Sequence, residues 1–198
     1  EFYVAIDNKG LWPNLTRLPN GEIVVAVYNH PSHGTGSNSD VELWVSNDEG
    51  LNWTFRSQIT DHPEEPNAIR MNHAVGLNAK GELVALVSGY HEGQKRPVLL
   101  VQCAISSDNG ATWQRHLLDS DQVPFGDILC LDSGRLACST YRQTSSEPRR
   151  NEATVYYSND DGRTWGDPVR ICEGGEAHIL RLSTGAWLAA ARSSCVDR

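Results

Sequence analysis

Apolar residues come in short runs separated by turn-forming clusters, and nowhere do they recur at helical spacing over a useful length. Glu22-Ile23-Val24-Val25-Ala26-Val27-Tyr28 is one such run, Val41 to Val45 a second and Val98 to Ile105 a third. They are rich in β-branched residues and bounded by Gly, Asn, Asp and Ser, so they predict short strands. In the first stretch four strands follow in order. A runs from Trp12 to Leu18, B from Glu22 to Tyr28, C from Val41 to Val45 and D from Trp53 to Ile59, with Asn20-Gly21 reversing the chain between A and B. The next stretch repeats the order as Arg70 to Leu77, Glu82 to Tyr90, Val98 to Ile105 and Trp113 to Leu118.

The repetition is explicit in the turns. Ser46-Asn47-Asp48-Glu49-Gly50-Leu51-Asn52-Trp53 aligns without gaps with Ser106 to Trp113 and with Ser158 to Trp165, so Ser-x-Asp-x-Gly-x-x-Trp stands three times between a C and a D strand. A second element precedes each copy, at Pro19 to Val25, Ala79 to Ala85 and Asp132 to Cys138, and recurs a fourth time at Ser183 to Ala189 with no Ser-x-Asp turn after it. Repeats of roughly 40 to 60 residues built from four strands predict a propeller-like array. The expected class is therefore all-β, a β-propeller of four-stranded antiparallel blades, with about three and a half blades in residues 1–198. The units lie near 8–60, 66–119, 124–172 and, incomplete, 175–198. Glu1 to Asp7 reads as a lone outer strand.

The turn residues read as structural. An Asp carboxylate in a tight turn accepts backbone N–H groups, Gly supplies a positive φ, and Trp wedges between neighbouring sheets. Calcium would need six or more oxygens that this motif does not offer.

Charge narrows the partners. Seventeen Lys and Arg against 25 Asp and Glu leave a net charge of -8, which repels nucleic acid and anionic bilayers, so neither is an expected partner. No apolar run approaches the roughly 18 residues of a membrane span, and Glu1-Phe2-Tyr3-Val4 lacks the basic start of an export signal. Five cysteines without a C-x-x-C pair predict buried free thiols rather than a zinc site or a disulfide framework.

Alternating strand direction sorts the candidate chemistry. A starts and B–C connections share one end of every unit, and the A–B and C–D turns share the other. The first end collects His30, His33 and Asp40, then Tyr90 and His91, then Tyr141, Arg142, Arg149 and Arg150. The A starts add Arg70, Asn72 and His73, then Phe125, Gly126 and Asp127, then Glu173, Glu176 and His178. Six of the seven histidines, all but His116, fall there or, as His62 does, on the approach. Each also has a plain reading. His30 and His33 are equally readable as solvated loop residues, His73 as a hydrogen-bonded inward histidine, and Tyr28, Tyr90 and Tyr141 as packing. His30-x-x-His33 has no third metal ligand, and no metal or cofactor is expected.

These turns, the strand spacing and the segment Glu176-Ala177-His178-Ile179-Leu180-Arg181 to Arg192 resemble the sialidase superfamily, also called BNR or Asp-box proteins. In that family a Glu opening an inner strand polarises a tyrosine nucleophile, and an Arg closing the next strand helps hold the substrate carboxylate. The resemblance assigns those roles to Glu176 and Arg192. An Arg fork suits a carboxylate and a nearby Glu activates a phenol. On plain grounds the two could also be a face-of-propeller ion pair. Leu11 stands where the family places its first carboxylate-binding Arg, and the third Arg and the tyrosine would come from later blades.

The expected activity is a carbohydrate-active, sialidase-like glycoside hydrolase acting on an acidic glycan. Glu176, His30, His33, His73 and Asp127 are the candidate catalytic residues, and Arg192, Arg70, Arg142 and Tyr90 the candidate substrate-binding ones. The alternatives are a polysaccharide lyase using a His or Tyr base and a non-catalytic glycan-binding propeller. An unfinished blade predicts either a longer parent protein or two copies completing each other.

Overall fold

The computed structural model describes residues 4–10, 12–33, 39–61, 67–94, 98–144 and 150–192, and every described element is a strand. The first unit is β1 (Asn14–Arg17), β2 (Ile23–Tyr28), β3 (Val41–Ser46) and β4 (Thr54–Gln58), hydrogen-bonded in that order. The second is β5 (Ala68–Leu77), β6 (Leu83–His91), β7 (Leu99–Ser106) and β8 (Gln114–Leu118). The third is β9 (Val123–Cys130), β10 (Leu136–Gln143), β11 (Asn151–Ser158) and β12 (Gly166–Glu173), and β13 (Gly175–Arg181) with β14 (Trp187–Arg192) forms a hairpin. Val4 to Asp7 do not form the expected outer strand, and residues 1–3 lie outside the described ones.

Within a unit all pairing is antiparallel. Between units, β5 and β9 pair in parallel through Ala74↔Gly126, Val75↔Asp127 and Gly76↔Ile128, which merges two units into one eight-stranded sheet. Gly76 is required there, because a Cβ would stand 2.0 Å from the Ile128 carbonyl oxygen. The first strands β1, β5, β9 and β13 thus gather side by side around one axis.

The apolar core lies between neighbouring units. One cluster joins Val24, Ala26, Val41 and Leu43 of the first unit to Val75, Leu83, Ala85 and Ala104 of the second, with Trp113 packed against it. A second joins Val84, Leu86, Val101 and Cys103 to Ile128, Leu136 and Cys138, with Trp165 against it. Trp113 and Trp165 therefore each seal the seam with the preceding unit. In all three turns the Ser hydroxyl donates to the Asp carboxylate, at 2.7 to 2.8 Å. The same carboxylate accepts the backbone N–H four residues on. Two successive residues take positive φ in each turn, Glu49-Gly50, Asn109-Gly110 and Asp161-Gly162.

Register places these turns. Ser46, Ser106 and Ser158 pair with the first residues of their B strands, Ile23, Leu83 and Leu136. The A starts instead pair with B ends, Ala68↔His91, Val123↔Tyr141 and Gly175↔Arg192. The Ser-x-Asp turns and the candidate residues accordingly occupy opposite ends. Of the cysteines, Cys103 and Cys138 are buried free thiols, Cys172 is half-buried and Cys130 exposed, while Cys195 lies outside the described residues. Burial raises the Cys103 thiol to about 12, which keeps it inert.

Candidate functional site

At the axis, where the inner strands begin, a cleft of about 330 Å³ is lined by Trp12, Pro13, Asn14, Leu15, His73, Phe125, Gly126, Asp127 and His178. The inner strands reach it through irregular backbone. Opposite Ser88, β5 carries the two residues Met71 and Asn72; opposite Ser139, β9 carries Phe125, Gly126 and Asp127; and Glu176 is an extra residue between the pairs Gly175↔Arg192 and Ala177↔Ala191. Such bulges re-aim side chains. Trp12 (φ 54°) and Glu176 (φ 39°) are held in the left-handed region that non-glycine residues rarely adopt. The Ser139 hydroxyl sits 2.8 Å from the Phe125 carbonyl and 2.5 Å from that of Ala177, tying two of the bulged strands together.

A polar chain crosses the cleft. Asn14 Nδ2 donates to the Gly126 carbonyl and to Asp127 Oδ1, both at 2.7 Å, and Asp127 Oδ2 lies 3.1 Å from His178 Nε2. Three units thereby contribute to one carboxylate–imidazole pair. His73 is buried with Nδ1 donating to the Met71 carbonyl at 2.7 Å. Burial lowers its pKa below the ordinary histidine value; the backbone oxygens of Met71, Ala26 and Trp12 oppose that shift, and only Met71 makes a hydrogen bond of normal geometry. The His73 ring is therefore neutral near pH 7. Asn14 Oδ1 and His73 Nε2 are buried without a hydrogen bond of normal geometry, a state that costs about 1–3 kcal/mol per group.

Glu176 and Arg192 meet as an ion pair at 2.7 Å, with the Arg192 side chain 69% exposed and that of Glu176 23%. They stand at the same end of the fourth hairpin but are not among the residues lining the cleft. His33 makes an edge-on contact with Trp12, ring centroids 5.2 Å apart, but does not itself line the cleft. His30 stays on the loop, 3.1 Å from the Ser32 N–H and tilted against Tyr28.

The remaining sequence candidates lie elsewhere. Arg70 is fully buried and donates to the Leu100 carbonyl at 2.6 Å, inside the second unit. Its strand begins two residues earlier than the sequence pattern indicates, at Ala68, which draws Arg70 into the sheet. Tyr90 packs with Tyr28, Ile69, Met71 and Trp12, and burial raises its phenol pKa. Arg142 sits on the rim of the third unit, 3.8 Å from Glu152. Asp40 is buried, accepting from Gln58 and Thr60. Among the described residues no group of three or more His, Cys, Asp or Glu side chains is arranged to hold a metal.

Asn14, Trp12 and His178 are the participants that sequence reasoning did not choose. His178 carried a signal, standing at an A start two residues after Glu176; Asn14 carried none beyond its place at the first A strand.

Comparison with known proteins now adds to this geometry. The family model of the BNR repeat-like domain matches residues 25–197. The chain belongs to that family. The Hadza microbial sialidase Hz136 superposes with a TM-score of 0.75 over 92% of this chain and 42% of its own, at 18% identity. The Penicillium chrysogenum α-L-arabinanase complexed with arabinobiose superposes with a TM-score of 0.63 over 93% and 57%, at 16% identity. At such identities the likeness shows the fold, a sialidase-type β-propeller, in accord with the sequence expectation. Among curated proteins, the photosystem II assembly lipoprotein Ycf48 of Synechococcus sp. (strain CC9902) is 28% identical over 81% of this chain. The chain spans 41% of that relative, so the BNR propeller present here corresponds to part of a longer relative.

Proposed function

We propose that this BNR propeller is carbohydrate-active, a glycoside-hydrolase-like unit acting on an acidic glycan, with Glu176 and Arg192 at the site. The observation that carries the reading is the gathering of Asp127, His178 and His73 around one cleft at the end of the inner strands that also bears the Glu176–Arg192 pair. Arg192, largely exposed and oriented by Glu176, offers a fork for a carboxylate. Asp127 and Glu176 supply the carboxyl groups that glycoside cleavage uses for proton transfer or nucleophilic attack. The sialidase and arabinanase superpositions support the reading at the level of fold.

The test is product analysis with sialyl-, uronate- and arabino-oligosaccharides. New reducing ends from an acidic oligosaccharide are expected, falling roughly 100-fold or more in Glu176→Gln, the contribution of a positioned acid–base group. An ultraviolet-absorbing unsaturated product would instead identify a lyase. A second reading, a binding module without turnover, is favoured by the match to an assembly lipoprotein; it predicts ligand binding with no product from any of the three classes.

A further inference from the structure

The seams between units are not filled alike. Between the first and second units Arg115 of β8 reaches back across the seam. Its Nε donates to the Ile59 carbonyl at 2.8 Å and its Nη2 to that of Gln58 at 2.7 Å, while Nη1 lies 3.5 Å from Asp61 Oδ2. Arg115 stands opposite Ala104, two residues before the turn Ser106. The residue at that position in the third unit is Tyr156, and opposite it β12 carries two residues, Asp167 and Pro168, between the pairs Tyr157↔Gly166 and Val155↔Val169. Asp167 (φ 48°) turns to Arg135 at 2.9 Å and Pro168 lines the seam. The place of the guanidinium is left without a cation.

A cavity of about 560 Å³ lies there between the second and third units, within the size range of ligand sites. It shares no lining residue with the axial cleft. Tyr156 and Trp165 are its aromatic walls, Leu118 and Pro168 its apolar ones, and Asp119 and Asp121 its charged ones. The two carboxylates follow β8 as Asp61 follows β4, for the Ile59 N–H bonds Val41 and Leu118 pairs with Val101, each valine five residues before its turn Ser. Gln122, 3% exposed, donates to Asp121 Oδ1 at 3.1 Å while its Oε1 accepts from Thr140, which ties that carboxylate to the sheet. Both Asp residues are exposed and within reach of a ligand. Neither Lys nor Arg lines the cavity, and Arg142, whose charge is felt at Tyr156, is turned to Glu152 at 3.8 Å. This seam therefore keeps the carboxylates and lacks the cation that its sister seam carries.

We infer that the cavity between the second and third units binds a guanidinium on a short alkyl stem, in the place that Arg115 occupies one seam earlier. The planar cation pairs with Asp119 and Asp121 and stacks on the aromatic walls, and the stem lies on Leu118 and Pro168. A free guanidine and an arginine side chain of a protein share this chemistry. Glycan binding at the axial end is not required for it.

Titration of the isotope-labelled 198-residue chain with agmatine and with N-acetyl-Gly-Arg-Gly-amide, followed by amide chemical shifts, tests it. Both probes shift Ser120, Asp121, Gln122 and Tyr156 and leave Asn14, His73 and His178 in place. The citrulline counterpart of the peptide, which keeps the shape and loses the charge, binds about tenfold more weakly or worse, as loss of a charge-assisted pair does. The double variant Asp119→Asn with Asp121→Asn shows the same loss toward the arginyl peptide. If that variant does not fold, the citrulline comparison on the unaltered chain decides. Tighter binding of the peptide than of agmatine identifies an arginyl segment of a protein as the ligand, and the reverse order a free guanidine. Absence of shifts with both probes, equal binding of the citrulline peptide, or shifts centred on the axial cleft overturns the inference. Turnover of acidic oligosaccharides alongside any of these would leave the proposed activity standing and remove this site alone.

Discussion

Asn14 shows how a residue with no motif around it comes to organise a site. Its position at the start of β1 lets one amide hold Gly126 and Asp127 of a unit more than a hundred residues away in sequence, and Asp127 in turn faces His178. None of that is legible from local pattern, because the contacts run between units. Glu176 and Arg192, by contrast, were readable as a pair, since they open and close neighbouring strands. Three residues illustrate the response to acid, to which the lowered turn carboxylates Asp48 and Asp160 also contribute. Burial holds His73 below its ordinary value of 6.5. Arg56, and after it Asn20, hold Glu22 at about 2 instead of 4.5, and Thr112 holds Asp108 at about 2 instead of 3.8. All three are depressed on folding, so the unfolded chain binds the extra protons. The stability they contribute is complete above the unfolded pKa and is lost as pH falls toward the folded one. Thermal melts should show Tm declining from about pH 6.5 downward through His73, then more steeply from 4.5 toward 2 through the two carboxylates. In Glu22→Gln the acidic limb should flatten; an unchanged limb would remove Glu22 from the account.

At the scale of the element, the Ser-x-Asp-x-Gly-x-x-Trp turn was the most readable feature because its chemistry is local. Ser, Asp, Gly and Trp interact within eight positions, and the hydrogen bonds recur with nearly the same lengths in all three copies. The left-handed residue before each Gly was not readable, for Glu49, Asn109 and Asp161 share only their position. The inner-strand bulges were equally hidden; the β13 bulge breaks the alternate-face rule that would relate Glu176 to His178. Arg70 illustrates the same loss, as an A-start Arg that the strand takes into its interior. The turn tryptophans are not equivalent. Trp113 and Trp165 pack against the seams between units, whereas Trp53 joins none of the core clusters among the described residues. Trp113→Ala and Trp165→Ala should each cost about 3 kcal/mol in denaturant melts, the low end for a large aromatic in a core, and Trp53→Ala about 1 kcal/mol, the common cost of a single substitution. Equal losses at all three positions would contradict the seam assignment.

On the scale of the whole molecule, the repeat made the architecture legible because the first three units pack on one another through the same two devices, the inner strand and the turn Trp. What the repeat could not announce is the parallel β5–β9 pairing or the single cleft to which Asn14, His73, Asp127 and His178 converge, both products of how units sit around the axis. The fourth hairpin leaves β14 exposed along its length, with Leu180, Trp187 and Leu188 open. The central claim is that ligand chemistry belongs to the inner-strand end and structural chemistry to the turn end. Amide and indole chemical-shift mapping of the chain, titrated with an acidic oligosaccharide, tests it directly. The account predicts shifts concentrated at Trp12, Asn14, His73, Asp127, Glu176, His178 and Arg192, with Trp53, Trp113 and Trp165 unmoved; shifts centred on the three turns, with the axial residues silent, would contradict it.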